Sequence, residues 1–436
     1  MSRPPPRFTP TLSQKIMRGV YSVLVWLVIP FAIIKLFRRN TDTLLSSRAQ
    51  LAQRFGVVQK PRRTGGYLFH CVSVGEVVAA SCVINKLLAH EPHTPITLTT
   101  TTTTGAERVR TIYGDKVQHS YLPFDSADAM RRLLERIKPK AVVITEVELW
   151  PNMLHRCWQK AIPVVLINAR MTDRSARRYQ KISALFSPML QKLAYVCAQG
   201  QRDYDNYLRL GMPVEKLILT NNIKFDQAVA NTTDNALLTL NSERPIIVAG
   251  STHDPEELIL LNAVNELRPH FPQVLLVLVP RHPERFSVVA NLLAEREISY
   301  VKTSETRNIE ADCEVVLLDQ MGLLNQAYQQ ADIAFVGGSL ANRGGHNALE
   351  PAALSKPVIM GPHRYNNPVI CEYLEQNGAL KLARDQAELS DVLSLWLANH
   401  SLAQAAGHAG YQVLQENKGA LDKTLLCISN SLTSKG

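Results

Sequence analysis

The stretch 337–363, GGSLANRGGHNALEPAALSKPVIMGPH, holds the densest chemistry in the chain. Two glycine pairs, Gly337-Gly338 and Gly344-Gly345, follow an apolar run at Ile333–Val336. They precede a helical pattern that opens at Asn347 with Glu350 in its first turn. Glycine lets backbone approach a ligand closely, and the free N–H groups of a helix start favour phosphate. A carboxylate one turn further on would repel that phosphate, so Glu350 calls for neutral hydroxyls such as a ribose diol. Together these features suit a nucleotide-sugar donor. The same glycines would also serve a plain turn and helix cap in any α/β protein.

Other candidates lie at the ends of strand-like runs. Ser73-Val74-Gly75-Glu76 sets Glu76 at a helix start, where the helix field would stabilise its charge and lower its pKa. There it either caps the helix or acts as a general base. Thr145-Glu146-Val147-Glu148 ends a strand with carboxylates at i and i+2. They share one face if the strand continues, and like charges there are costly. Lys224, in Asn222-Ile223-Lys224-Phe225-Asp226, reads equally as a surface charge or a site cation. Gly250-Ser251-Thr252-His253 and Pro280-Arg281-His282-Pro283 each follow a strand pattern, and Met321-Gly322 opens a helix. Arg281 has the planar fork that grips phosphate.

A frame must bring these loops together. From Tyr67 onward, strand-length apolar runs alternate with amphipathic helical ones. Strands are expected at 67–72, 96–101, 119–123, 141–147, 163–168 and 195–198. After the polar stretch Asn231–Arg244 they resume at 245–250, 274–280, 315–319, 332–336 and 357–360. Such alternation predicts parallel sheets covered on both faces. The fold class is therefore α/β, with two doubly wound, Rossmann-like domains, 64–230 and 245–436, joined by a linker, 231–244. Ligands of such sheets bind at the carboxyl ends of the strands, which predicts a site in the cleft that the domains face.

Composition narrows the function. Hydrophobic residues make up 46% of the 436, enough for large cores, and the seven cysteines lack CxxC or zinc spacing. They read as reduced thiols. The net charge of +10 is local: residues 1–63 hold twelve Lys/Arg and one acid, Asp42, for +11, leaving 36 bases against 37 acids. A basic body for nucleic acid is excluded. The basic segment brackets the apolar run Gly19–Ile34, which Pro30 should kink. Residues 1–63 are thus an uncleaved anchor helix region, spanning a membrane or lying in its interface, with Arg54, Lys60, Arg62 and Arg63 available to anionic head groups. GxxxxGK[ST], GxGxxG after the first strand and HExxH are all missing. Asp203-Tyr204-Asp205 falls in a helical pattern where i and i+2 diverge, so neither a metal nor a cofactor is expected.

Read in order, HCVSVGE, TEVELWP, NARMTDRS, IKFD, GSTH, VPRHPERF and GGSLANRGGHNALE resemble the bacterial 3-deoxy-D-manno-octulosonic acid (Kdo) transferase family. The resemblance runs over nearly the whole chain. It implies a GT-B glycosyltransferase, inverting and metal-independent, that moves Kdo from CMP-Kdo to the tetraacylated lipid A precursor, lipid IVA. It also implies a place at the inner membrane, with the catalytic domains on the cytoplasmic face. By resemblance Glu76 is the base, and Glu146 and Lys224 stabilise the transition state. Pro280, Arg281, Met321, Gly322, Leu323, Asn347, Ala348, Leu349 and Glu350 would bind CMP. Leu323 stands where the family commonly has an acid, and Asn221-Asn222 where it has a glycine-containing pair. The alternatives are another GT-B enzyme acting on a membrane lipid, a tethered binding protein of the same fold, and a dehydrogenase without its fingerprint.

Overall fold

Alternate residues of one strand face opposite cores: Tyr67 and Phe69 belong to one apolar cluster and Leu68 to another. Such strands are buried on both faces, which is why they read as continuous apolar runs. The structure, a computed structural model, describes residues 8–39, 44–61, 63–230, 240, 244–306, 309–310 and 312–433. It divides into two units, Met1–Ile223 with Gly419–Gly436, and Lys224–Lys418.

The first unit holds β1 (Tyr67–His70), β2 (Ile96–Thr100), β3 (Gln118–Tyr121), β4 (Ala141–Thr145), β5 (Val164–Ala169), β6 (Tyr195–Ala198) and β7 (Leu217–Leu219). They form one parallel sheet of seven strands in the order β3-β2-β1-β4-β5-β6-β7. The second unit holds β8 (Ile246–Thr252), β9 (Leu275–Pro280), β10 (Tyr300–Lys302), β11 (Val315–Leu317), β12 (Ile333–Val336), β13 (Val358–Met360) and β14 (Leu380–Leu382). Its order is β10-β11-β9-β8-β12-β13-β14, again parallel throughout. In each sheet the chain first fills one side of its first strand, β11 inserting between β9 and β10 in the second sheet, and then crosses to that strand's other side. The switch points therefore fall between β1 and β4, and between β8 and β12. Loops leaving the carboxyl ends of such a strand pair part there and open a crevice.

Two domain boundaries differ from expectation. The last helix, Ala420–Thr433, expected in the second domain, packs on β4, β5, β6 and helix Val74–His90 of the first unit. Its Ala420, Cys427 and Ile428 complete the core beneath β1 and β5. Residues 224–230, expected in the first domain, begin the second unit, where Phe225 is fully buried against Ala348, Leu349 and Ala352. The linker 231–244 lies outside the described residues except at Leu240 and Arg244. Both are buried in the second unit, Arg244 donating to the Gln273 and Cys313 carbonyls.

Helix Leu12–Arg39 runs through Pro30, and its Leu12–Ile34 window, with a mean hydropathy of 1.9, is long and apolar enough to cross a membrane. One stripe is pinned to the first unit. Tyr21 donates to Asp125 (3.0 Å), and Arg18 and Ser22 donate to Asn152 (3.3 and 3.1 Å). Its other side exposes Ile16, Val20, Leu24, Leu27 and Phe31. Arg54, expected to meet head groups, is instead buried. Its guanidinium donates to the Leu122 and Thr101 carbonyls and lies 4.9 Å from the Tyr121 ring centroid. Lys60 and Arg63 are exposed, and Arg62 lies outside the described residues.

Candidate active site

In the first unit the β1 loop carries Ser73 as the N-cap of helix Val74–His90. Its hydroxyl accepts from the Glu76 amide and donates to Glu76 Oε1 (3.0 Å), while the Val72 amide donates to Glu76 Oε2 (2.8 Å). This is a close variant of the reciprocal capping box. Glu76 does cap the helix, and it is only 7% exposed. The expected lowering of its pKa is overturned. Burial pushes it up to about 7, the Glu146 and Glu148 charges add to that, and the Val72 and Ser73 bonds only partly oppose it. Removing a carboxylate from water outweighs the half charge of one helix end. A carboxyl poised near 7 is a usable proton acceptor at neutral pH.

Glu146 follows β4 directly, on the other side of the switch point. Its φ is 63°, left-handed for a residue with a side chain, so the strand alternation that would align it with Glu148 stops at Thr145. The turn is held by its amide donating to the Ile167 carbonyl (3.0 Å) and its carbonyl accepting from Arg170 (3.4 Å). Backbone strain of this kind costs about 1–3 kcal/mol and needs such support. Burial, then the Glu146 charge, raises Glu148. Cys71 and Thr145 meet at 3.3 Å and tie the ends of β1 and β4 together. The result is a group of three mutually repelling carboxyls at one crevice.

Other sequence features resolve as structure. Asp203 accepts from the Met171 amide and Asp205 from Gln201, so the two carboxylates serve different partners. Asn221 adopts φ 70°, a conformation asparagine tolerates, which accounts for its standing in a glycine's place. Lys224 opens helix Lys224–Ala230 and donates to Asn367 (2.6 Å) within the second unit.

In the second unit the glycine-rich loop after β12 is not the phosphate cradle that was expected. Four of its N–H groups, those of residues 338–341, are taken by Glu256, at the start of helix Glu256–Leu267, and those of Gly337, Gly345 and His346 by backbone carbonyls. Oε2 accepts from His253 and Gly338 (2.9 and 2.7 Å), and Oε1 from Ser339, Leu340 and Ala341 (2.9, 2.9 and 3.1 Å). A Cβ on Gly337 would run into the Ser251 carbonyl, and one on Gly338, at φ 69°, would meet His346 Cδ2 at 2.9 Å. The glycines therefore serve close packing at the β8–β12 switch point.

That packing stacks His346 on His253, with planes 6° apart and Nε2 atoms 2.9 Å apart. His282 meets His253 edge-on at 5.3 Å. Burial first, then neighbouring histidines and arginines, drives His253 and His346 down to about 4. The exposed Arg281, anchored by its amide to the Thr252 carbonyl, is among those charges. Neither paired histidine was assigned a role from sequence, although both lie in the motifs GSTH and GGHNALE.

The helix expected from Asn347 runs only over Leu349–Ala353. Asn347 instead accepts from the Leu349 amide (3.3 Å) and donates to Glu350 Oε1 (3.2 Å). Burial raises Glu350, while Asn347 and Arg281 pull it back. Ala348 and Leu349 are fully buried, so they can offer a ligand only backbone. Met321 is exposed, Gly322 takes φ 92°, and Leu323 packs against the apolar cluster of β9 and β11. That packing explains an apolar side chain at 323. The fold thus groups Arg281, Asn347, Glu350 and the histidine pair around one crevice, with Lys224 on a helix packed against the Leu349 segment.

Comparison with known proteins places the chain in a family. The family described as 3-deoxy-D-manno-octulosonic-acid transferase (kdotransferase) matches residues 49–227, and glycosyl transferases group 1 matches residues 244–413. A 3-deoxy-D-manno-octulosonic acid transferase of Haemophilus influenzae is 41% identical, covering 87% of this chain and 90% of the relative. One from Bordetella pertussis is 31% identical, covering 82% and 85%. Acinetobacter baumannii MurG shares the fold at a TM-score of 0.52 and 14% identity, covering 83% of this chain and 99% of that one. The chain belongs to the bacterial Kdo transferase family, glycosyltransferases of lipopolysaccharide assembly with two parallel-sheet domains of GT-B type.

Proposed function

We propose that the protein transfers Kdo from CMP-Kdo to lipid IVA, with inversion at the anomeric carbon. The observation that carries the reading is Glu76, a carboxyl held near a pKa of 7 at the switch point of the first sheet. Glu76 takes the proton of an acceptor sugar hydroxyl as its oxygen bonds to the anomeric carbon of Kdo. The bond from that carbon to the phosphate oxygen breaks, and its electron pair leaves with CMP. Arg281 faces the charge returned to that phosphate, an electrostatic contribution that grows where water is excluded. Asn347 and Glu350 suit the ribose hydroxyls, and the backbones of Pro280, Met321, Gly322, Leu323, Ala348 and Leu349 line the nucleotide. Glu146 and Lys224 are assigned to the transition state, where positive charge builds on the sugar ring and negative charge on the leaving group.

The exposed apolar face of helix Leu12–Arg39 suits a lipid-borne acceptor, and seven free cysteines suit the cytoplasmic face of the inner membrane. The test is mass analysis of product from purified enzyme, CMP-Kdo and lipid IVA. One or more Kdo additions are expected. Transfer from a UDP-sugar, with none from CMP-Kdo, would sink the assignment in favour of another GT-B activity.

A further inference from the structure

The first turns of helix Leu12–Arg39 close over a cavity of about 320 Å³ against helices Pro151–Gln159 and Ser183–Gln191. None of the residues assigned to transfer lines it. Lys15 and Arg18 enter from the first helix, His155 and Trp158 from the second, and Lys192 from just beyond the third. Among the described residues lining it there is no carboxylate. The His155 and Trp158 rings stack at 5.5 Å, and the Lys192 ammonium lies 5.7 Å from the Trp158 centroid. His155 is 9% exposed, and its buried Nδ1 has no hydrogen-bond partner.

Three cations around one cavity, with no acid to offset them, repel one another unless an anion joins them, and the unpartnered His155 Nδ1 is a further polar atom there for such a ligand to meet. The cost is visible at Lys192, which burial and then the Arg18 charge bring down to about 8. An anion with strong acceptor oxygens matches these donors. The remaining walls are apolar, including Leu185, Pro188 and Met189, and the same helix exposes Leu12, Ile16 and Val20. A ligand with one charged end and an apolar body fits both features. Free phosphate fits only one.

We propose that this cavity binds the phosphate of an anionic membrane lipid and seats the first unit on the bilayer surface. The inference goes beyond Kdo transfer and rests on helix Leu12–Arg39 facing a membrane.

The test is flotation of the full-length protein with vesicles of phosphatidylcholine alone or with about 20 mol % phosphatidic acid, since each basic residue near such a surface adds ~1 kcal/mol. Wild type should bind the phosphatidic acid vesicles more tightly. Lys192→Gln and the exposed Lys15→Gln should each lose roughly fivefold there and nothing on phosphatidylcholine alone. Lys192→Arg should restore binding, and the exposed Lys116→Gln controls for net charge. Losses no larger than that control, no binding to either vesicle, or equal binding to both would overturn the proposal. Displacement from the phosphatidic acid vesicles by millimolar inorganic phosphate, but not by equal ionic strength of chloride, would assign the cavity to free phosphate instead.

Discussion

Glu76 and Glu256 occupy the same station in two similar sheets. Each opens the helix that follows the first strand of its sheet, beside the switch point, and each is buried. Their surroundings give them opposite chemistry. Glu76 accepts from one amide and one hydroxyl and has two carboxylates nearby. A proton on it relieves repulsion and costs little. Glu256 accepts from five amides, spread over both its oxygens. Burial raises Glu256 as well, and its amide bonds oppose that. A proton there would point a donor at donors, so the side chain holds all five amides only as an anion. Position in the fold nominates a carboxylate, and the donors around it decide whether it exchanges protons or merely holds structure.

The largest expected effect follows from that contrast. Glu76→Gln should lower transfer by about 10³-fold, in the range for loss of a general base, while CMP affinity and fold are kept. For wild type, kcat/KM should rise about tenfold per pH unit below 7 and level off above it, because the base must begin ionised. A Gln variant with near-normal turnover would return Glu76 to a capping role.

The second effect concerns stability. Glu76 titrates near 7 when folded and near its ordinary 4.5 when unfolded. A carboxyl with a raised folded pKa stabilises the native state most below 4.5, and that contribution is lost as pH rises through 7. Relative to Glu76→Gln, wild type should therefore lose up to about 3 kcal/mol between pH 4.5 and 7. Thermal melts of both proteins across that window would check it. Parallel melting curves would mean that Glu76 is less desolvated than it stands here.

Glu256→Gln should be the mirror case. The new amide group faces at least two N–H donors that it cannot accept from. A cost of about 3 kcal/mol follows, a fall of roughly 5–10 °C in melting temperature, with loss of CMP binding as the loop loosens. Thermal melts and CMP titration separate this from a catalytic effect. A stable, CMP-binding Glu256→Gln variant would dissolve the comparison.

These contrasts also mark what could be read from sequence. Strands of four or more buried residues were legible because their apolar runs are continuous. Strands β7, β10 and β14 were not: each has three residues, mostly half-buried, at a sheet edge. The periodicity of Ala420–Thr433 marks a buried face but not the unit it is buried against. The helix field on Glu76 is local and readable, whereas the desolvation that overrides it comes from folding. Nothing in the sequence beside the GSTH motif marks Glu256 for its duty. Four of its five donors lie 82 to 85 residues away, and that separation hid both its duty and the real use of the glycines.

The smallest expected effect tests whether the histidine pair of the second crevice stays neutral where the first crevice titrates. With His253 and His346 both brought down to about 4, the pair is neutral at pH 7.5 and its work is geometric: one imidazole donates to the other. Glutamine at 346 can keep one such bond, so His346→Gln should weaken CMP binding only about threefold, no more than the low end of what losing one neutral hydrogen bond costs. Alanine should cost more, by leaving the His253 ring without its hydrogen-bond partner. If glutamine instead weakened CMP binding a hundredfold at pH 7.5, and the loss shrank as pH rose, the pair would take up a proton when the nucleotide arrives. The second crevice would then titrate as the first does, and the division between a proton-exchanging unit and a fixed, nucleotide-holding one would fail.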